Sequence, residues 1–406
     1  MDGVTRRGLL AALAAGAWGW PRHDRARLPT AGGRFEIAAR PVGAGQPLFA
    51  TGLIRHDPAP AYAHCPSLAP LPDGRIACAW YAGSREGARD VAIWWAELTP
   101  EDVAAGRCSW TAPRAVVTHE SAARDLGRFV KKVGNSVLLT DTSGRPWIVF
   151  VTIAVGGWSG SSLNACCSHD GGRSWKPARR LALSPFLNVS ELVRAAPVAL
   201  DDGRIGLPIY HEFLGKFPEM LWLRPDGDEL MATKSRMSWG RSLIQPAVVP
   251  LDATRAVALL RDHSAAHRVA VQHTDDAGRT WSAPVPTALP NPDASVAGVR
   301  LPSGRLLVAF NDSETGRDNL CLAVAEAGPA DGGRPVATGW RRIATLEAEP
   351  GERFAYPYLC LDGAGRVHLA YAWKMQFIRH AVFNEAWLDA QEGERIAAIG
   401  GAGGGG

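Results

Sequence analysis

Arg85, Arg194, Arg261 and Arg317 each stand close to one end of an apolar run. His64, Asp90, Glu191, His211, Glu212, Gln245, Asn311, Asp312, Tyr356, Trp373 and Lys374 occupy comparable places. A guanidinium grips a carboxylate or sulfate through two parallel hydrogen bonds. A carboxyl group beside it can move a proton, and a tyrosine or histidine can serve as nucleophile or base. Run ends are commonly solvated, which accounts for polarity but less well for so many bulky Arg, Trp, Tyr and His side chains. Those suit carbohydrate recognition, and the arginines select a sugar that carries an anionic group.

The elements that must bring these residues together repeat. Six segments share an apolar run, a tight turn, an arginine and a second apolar run: SLAPLPDGRIACAWYAG, SVLLTDTSGRPWIVFVT, APVALDDGRIGLPIYHE, AVVPLDATRAVALLRDH, AGVRLPSGRLLVAFNDS and YLCLDGAGRVHLAYAWK. The turn residues are Gly74, Gly144, Gly203, Thr254, Gly304 and Gly365, each followed by arginine. Asp-Gly and Ser-Gly supply the backbone that a hairpin turn demands. The flanking runs read as strands buried on both faces. A spacing of about 50 to 70 residues holds four strands, the size of one propeller blade. The fold expected is all-β, a six-bladed β-propeller. All six turns then share one face of the ring, and the polar run ends converge on the opposite face. The turn arginines fall on the far side and read as structural.

A second motif punctuates the repeats. Ser168-His169-Asp170-Gly171-Gly172-Arg173-Ser174-Trp175 and Thr274-Asp275-Asp276-Ala277-Gly278-Arg279-Thr280-Trp281 both fit [S/T]-x-D-x-G-x-[S/T]-W. The aspartate can bind backbone N–H groups of its own loop, and the tryptophan can fill the gap between sheets. This pattern resembles the Asp-box of the BNR repeat family. With GSREGARD, GGWSGSSLN, PIYHEF and IRHAVFNEAWL, it makes residues 58–388 resemble sialidases, in particular bacterial exo-α-sialidase-like proteins.

The resemblance implies the sialidase fold and assigns roles. Asp90 matches the acid/base and Tyr356 the nucleophile of a retaining glycosidase. Arg261 and Arg317 match two of three arginines that hold the substrate carboxylate. The chain departs from the pattern twice: His64 stands where the first arginine belongs, and Gln245 stands where a glutamate assists the tyrosine. From their hairpin positions, Glu191 or Glu212 could supply the base and Arg194 the missing cation. Arg85, His211, Asn311, Asp312, Trp373 and Lys374 complete the expected binding rim.

Composition sets bounds. The chain has 406 residues, 46% hydrophobic and 21% charged, with a net charge of +4 and no basic run, so nucleic acid is not an expected partner. Thr5-Arg6-Arg7-Gly8-Leu9-Leu10 and Ala15-Gly16-Ala17 read as a twin-arginine export signal over 1–20, which places the protein in the periplasm or outside the cell. Residues 21–57 are expected to lead into the propeller and 389–406 to form a flexible Gly-rich tail. No segment is long enough to span a bilayer. Seven cysteines show no C-x-x-C and no zinc-ligand spacing, so neither a disulfide framework nor a metal site is expected, and no cofactor. The expectation is a monomeric, exported hydrolase acting on an acidic glycan or glycoconjugate. Two other readings remain open: a carbohydrate-binding propeller without catalysis, and a polysaccharide lyase with Tyr356 or His211 as base.

Overall fold

In the computed structural model, residues 32–402 are described, except 43–44, 58, 184–189 and 328–338. The export signal over 1–20 and the end of the Gly-rich tail lie outside the described residues. Six antiparallel sheets form, one per repeat. The strands that begin them are Tyr62–Pro70, Lys132–Thr140, Leu192–Val193 with Val198–Ala199, Leu243–Pro250, Ala297–Arg300 and Phe354–Leu361. These are the inner strands of a six-bladed β-propeller. The last blade takes its outer strand from the other end of the chain. Phe49–Ile54 pairs with Phe377–Phe383, from Phe49↔Phe383 to Ile54↔Ile378. The segment expected only to lead into the propeller therefore closes the ring.

The strands carry apolar side chains on both faces because each blade packs between two others. All eight positions of Pro146–Ile153 are buried. One continuous cluster joins Tyr81, Ile93 and Trp95 of the first blade to Leu138, Ile148 and Phe150 of the second. Burying one such large side chain stabilises the fold by roughly 1.5–3 kcal/mol, so blade-to-blade contact is the main adhesive.

The turns are locked by an aspartate that faces the turn arginine. Asp141 accepts from the Ser143 and Arg145 N–H groups at 2.9 and 3.0 Å, from Arg145 Nε at 2.9 Å and from Trp147 Nε1 at 2.9 Å. Asp73, Asp202, Asp252 and Asp362 pair likewise with Arg75, Arg204, Arg255 and Arg366. The fifth blade has Ser303 instead, and Arg305 turns to Glu385 at 3.0 Å. Glu385 opens a helix, Glu385–Ala402, where a flexible tail was expected from 389. Asp170 and Asp276 hold the two Asp-box loops through Ser174 and Thr280. Each box leans on the preceding blade: Trp175 meets Trp95 edge-on at 5.3 Å, and Gly172, at φ +95°, leaves no room for a Cβ against that indole.

All seven cysteines are free. Cys167, His169 and Asp228 gather at the turn end of the second and third blades, with His169 Nε2 2.6 Å and Cys167 Sγ 3.6 Å from Asp228. Among the described residues no helix is long and apolar enough to cross a membrane.

The locking aspartates make stability depend on acid. Burial alone would raise Asp252 and Asp362, but hydrogen bonds, from Arg255 and Thr254 in one case and from His368 and Arg366 in the other, outweigh it and bring both to about 2. Asp73, Asp141, Asp202 and Asp276 are lowered in the same way. A depressed carboxyl contributes stability above its unfolded value and loses it as pH falls through the folded one. Thermal melts should therefore be flat above about pH 5 and fall steeply between about pH 4 and 2. Asp141→Ala should lower stability at neutral pH by about 1–3 kcal/mol and shrink that acid limb. A midpoint independent of pH across this range would contradict the assignment.

Candidate active site

One position in each repeat builds the centre of the mouth. Nine residues before each turn residue stand Cys65, Asn135, Arg194, Gln245, Ser295 and Tyr356, one per blade. At Cys65, Asn135, Gln245 and Tyr356 the pairing of the inner strand shifts by one residue. Such a bulge leaves the extra residue unpaired and re-aims its side chain. Cys65, Gln245 and Tyr356 adopt φ of 51°, 54° and 57°, a region that costs a non-glycine residue about 1–2 kcal/mol. Each of the three precedes a proline, which has no N–H to leave unpaired inside the bulge. Strain repeated at one level of the ring marks a built site.

Tyr356 is the hub. Arg261 Nη1 donates to its hydroxyl at 3.0 Å and to Gln245 Oε1 at 3.3 Å, while Arg261 Nε donates to Asp293 at 2.6 Å. Gln245 Nε2 donates to Tyr210 Oη at 3.1 Å, and Asn135 reaches the same hydroxyl at 3.4 Å. His64 meets the Tyr356 ring edge-on, with centroids 4.1 Å apart. The Arg317 guanidinium lies 5.8 Å from the ring centre and donates to the Asp293 carbonyl. Trp158 walls the second blade beside Tyr81, packed so close to Gly134 that a Cβ there would meet the indole at 2.6 Å.

The charges around the hub are unequal. Burial would lower Arg261, but the facing Tyr356 and Asp293 raise it. Arg317 is lowered, first by burial and further by the cations Arg261 and Arg353. His64 is buried and held well below its usual value by that burial and by Arg194, Arg317, Arg353 and Arg261. It is therefore a neutral imidazole at neutral pH. Asp293, the carboxylate that balances this cluster, is taken by Arg261 and by His263 at 2.8 Å.

Several expected residues have other posts. Arg194 lies beneath Tyr356, not beside a ligand. Its Nη1 donates to the Pro66 carbonyl at 3.1 Å, and its Nη2 donates to the carbonyls of Pro357, at 2.7 Å, and Tyr356. With those donors spent on backbone, it cannot replace the missing carboxylate ligand. Glu191 is buried against Lys234 at 3.3 Å, which also holds Glu219 at 3.4 Å, and among the described residues no hydrogen bond or ion pair joins it to Tyr356. Glu212 stays half-buried with Lys216 at 4.0 Å, and its charge bears on Tyr210. His211 stacks on Phe217 at 4.7 Å and accepts the Leu214 N–H, and burial lowers it to about 4. Asn311 donates to the Phe354 carbonyl at 2.8 Å, and Asp312 pairs with Arg342 at 2.6 Å. Lys374 binds Glu349 and Glu352 and covers the ring of half-buried Trp373 at 5.0 Å. Of these, Asn311 joins the fifth blade to the sixth, Asp312 pairs within its own blade, and Lys374 is held by two carboxylates of the preceding loop.

The loop after the first hairpin carries two carboxylates. Asp90 is exposed and accepts from Ser84 N–H and Oγ at 3.0 and 2.9 Å. Glu86 accepts from Tyr62 Oη at 3.0 Å, and its charge reaches Tyr81, Cys65 and Lys132. Arg85 is exposed beside them and bears on Lys132.

A model of the BNR repeat-like domain matches residues 74–369. The chain belongs to the BNR repeat-like family. No curated protein matches it significantly in sequence. Solved structures match its fold. A Hadza microbial sialidase is 17% identical over 82% of this chain and 68% of that one, with a TM-score of 0.64. The NanB sialidase of Streptococcus pneumoniae is 11% identical over 82% and 70%, with a TM-score of 0.63. The leech intramolecular trans-sialidase is 14% identical over 84% and 70%, with a TM-score of 0.62. At these identities the likeness is one of fold, the sialidase propeller.

The sequence reading missed Arg353, whose charge bears on both His64 and Arg317. The repeat register places Asn135 at the same level as Tyr356, and Tyr210 and Asp293 join the site through Gln245 and Arg261. Removing the support under the hub should be costly: Arg194→Ala leaves three buried carbonyls without their donor. The expected loss is about 2–4 kcal/mol, read by urea unfolding, and a loss below about 0.5 kcal/mol would contradict the supporting role.

Proposed function

We propose that the chain is a sialidase-like glycoside hydrolase that removes a terminal acidic sugar by a retaining mechanism, as an exported monomer. The observation that carries this reading is Tyr356, raised on a strained bulge at the centre of the mouth with Arg261 donating to its hydroxyl. A charge-assisted hydrogen bond of that kind stabilises negative charge developing on the oxygen. A neutral phenol also suits attack on a carbon already bearing a carboxylate, where an anionic nucleophile would be repelled; as its oxygen bonds to that carbon and the bond to the leaving oxygen breaks, the phenol proton would pass to water in the mouth. Arg261 and Arg317 would orient the anionic group. Asp90 would protonate the leaving oxygen and then deprotonate water, moving from its Ser84 partners when substrate fills the mouth. Glu86 is the second carboxylate of the same loop and the one that bears on Tyr81.

Two observations favour a second reading, a carbohydrate-binding propeller without catalysis. An amide, Gln245, stands where a base would assist the tyrosine, and Glu191 is committed to Lys234.

A panel of acidic glycans separates these readings by product. Hydrolysis releases a reducing acidic sugar, lyase action gives a product absorbing in the ultraviolet, and a binding module leaves the glycan unchanged. With hydrolysis, Tyr356→Phe should lower kcat about 100-fold or more while the melting curve stays put. Asp90→Asn should fall similarly and recover with an aryl leaving group that needs no protonation. Full activity in Asp90→Asn with collapse in Glu86→Gln would move the acid/base role to Glu86.

A further inference from the structure

The mouth lacks a cation at position 64, and Arg194 does not supply it. Arg353 stands three residues before Tyr356, immediately ahead of the inner strand Phe354–Leu361. The Phe354 N–H donates to the Arg317 carbonyl at 2.7 Å, so the two arginines are fastened side by side through their backbones. Arg353 is exposed, and among the described residues no hydrogen bond or ion pair holds its side chain. The carboxylates nearest in sequence cannot neutralise it, because Lys374 holds Glu349 at 2.7 Å and Glu352 at 3.4 Å. Asp293 cannot either, since Arg261 and His263 occupy both its oxygens. Its charge reaches Arg317 and His64.

Two neighbouring guanidiniums without a counter-ion repel each other, and the fold gains nothing by keeping them so. Every turn arginine, by contrast, has an aspartate or glutamate built in beside it. An anion bridging Arg317 and Arg353 would relieve that repulsion and collect charge-assisted hydrogen bonds from both. We infer that Arg353 pairs with Arg317 to hold the carboxylate or sulfate group of the ligand, supplying the charge absent at His64. The anionic group then sits toward the seam of the fifth and sixth blades, while neutral His64 faces the apolar side of the sugar ring. This inference rests on the acidic-sugar reading above.

Ligand-observed NMR titrations of the full chain test it, with N-acetylneuraminic acid, glucuronic acid, glucose 6-sulfate and neutral glucose as probes. The wild type should bind at least one acid and not glucose, with an affinity that falls as salt rises. The probes separate a carboxylate from a sulfate ligand. Arg353→Ala should weaken the preferred acid at least tenfold, flatten the salt dependence and leave the melting temperature unchanged. Arg353→Lys should recover part of the affinity. If Arg353→Ala binds as the wild type does while Arg317→Ala loses the acid, the role of Arg353 falls and the acidic-sugar reading stands. If the wild type binds no acid better than glucose, both fall together.

Discussion

A strand in a propeller blade points its side chains at the two neighbouring blades, so nothing on a regular inner strand faces the mouth with a free polar group. The extra residue at Cys65, Asn135, Gln245 and Tyr356 solves that geometric problem. Positive φ at three of these positions is the local cost, and the packed sheets on either side hold it in place. Every contact that matters at the mouth follows from this level of the ring: Arg261 on the Tyr356 hydroxyl, Gln245 on Arg261, Tyr210 on Gln245, and Arg194 beneath the bulge it supports.

Arginine plays opposite parts at the two ends of the same hairpins. In the turns, each guanidinium meets a carboxylate close by in space, and the pair serves to fix backbone. At the mouth stand three cations, Arg261, Arg317 and Arg353, and the carboxylate beside Arg261, Asp293, already has both oxygens engaged by Arg261 and His263. The excess of positive charge there is local, because the whole chain is only weakly basic. Concentrating positive charge beside the buried Arg261 strengthens its pull on any anion that reaches it.

The repeats were legible in the sequence because tight turns restrict their residues: Gly and Asp recur where only a few side chains fit. Sorting residues by hairpin end then brought Tyr356, Arg261, Arg317, His64 and Gln245 to one place, and the structure does gather them. What escaped was non-local. The strand Phe49–Ile54 finds its partner at Phe377–Phe383, more than three hundred residues away, and carries no turn signal to announce it. Arg194 and Glu191 occupy mouth positions in the repeat, yet their side chains turn to a carbonyl cluster and to Lys234, which depends on what neighbouring blades present. Arg353 lies just ahead of an apolar run, outside the pattern used to find the mouth. The helix Glu385–Ala402 hides in a Gly-rich sequence and is fixed at its start by Arg305 of a distant turn.

If the chain is the retaining hydrolase proposed, Tyr356 bears the glycosyl group during turnover, and one measurement addresses that directly. An acidic glycosyl fluoride with a second fluorine beside the anomeric carbon slows breakdown of a covalent glycosyl-enzyme more than its formation. After incubation, intact mass and peptide mapping should show one added sugar, attached to Tyr356. An adduct on another residue, or active turnover of an unfluorinated substrate with no adduct and inverted anomeric configuration, would contradict the account.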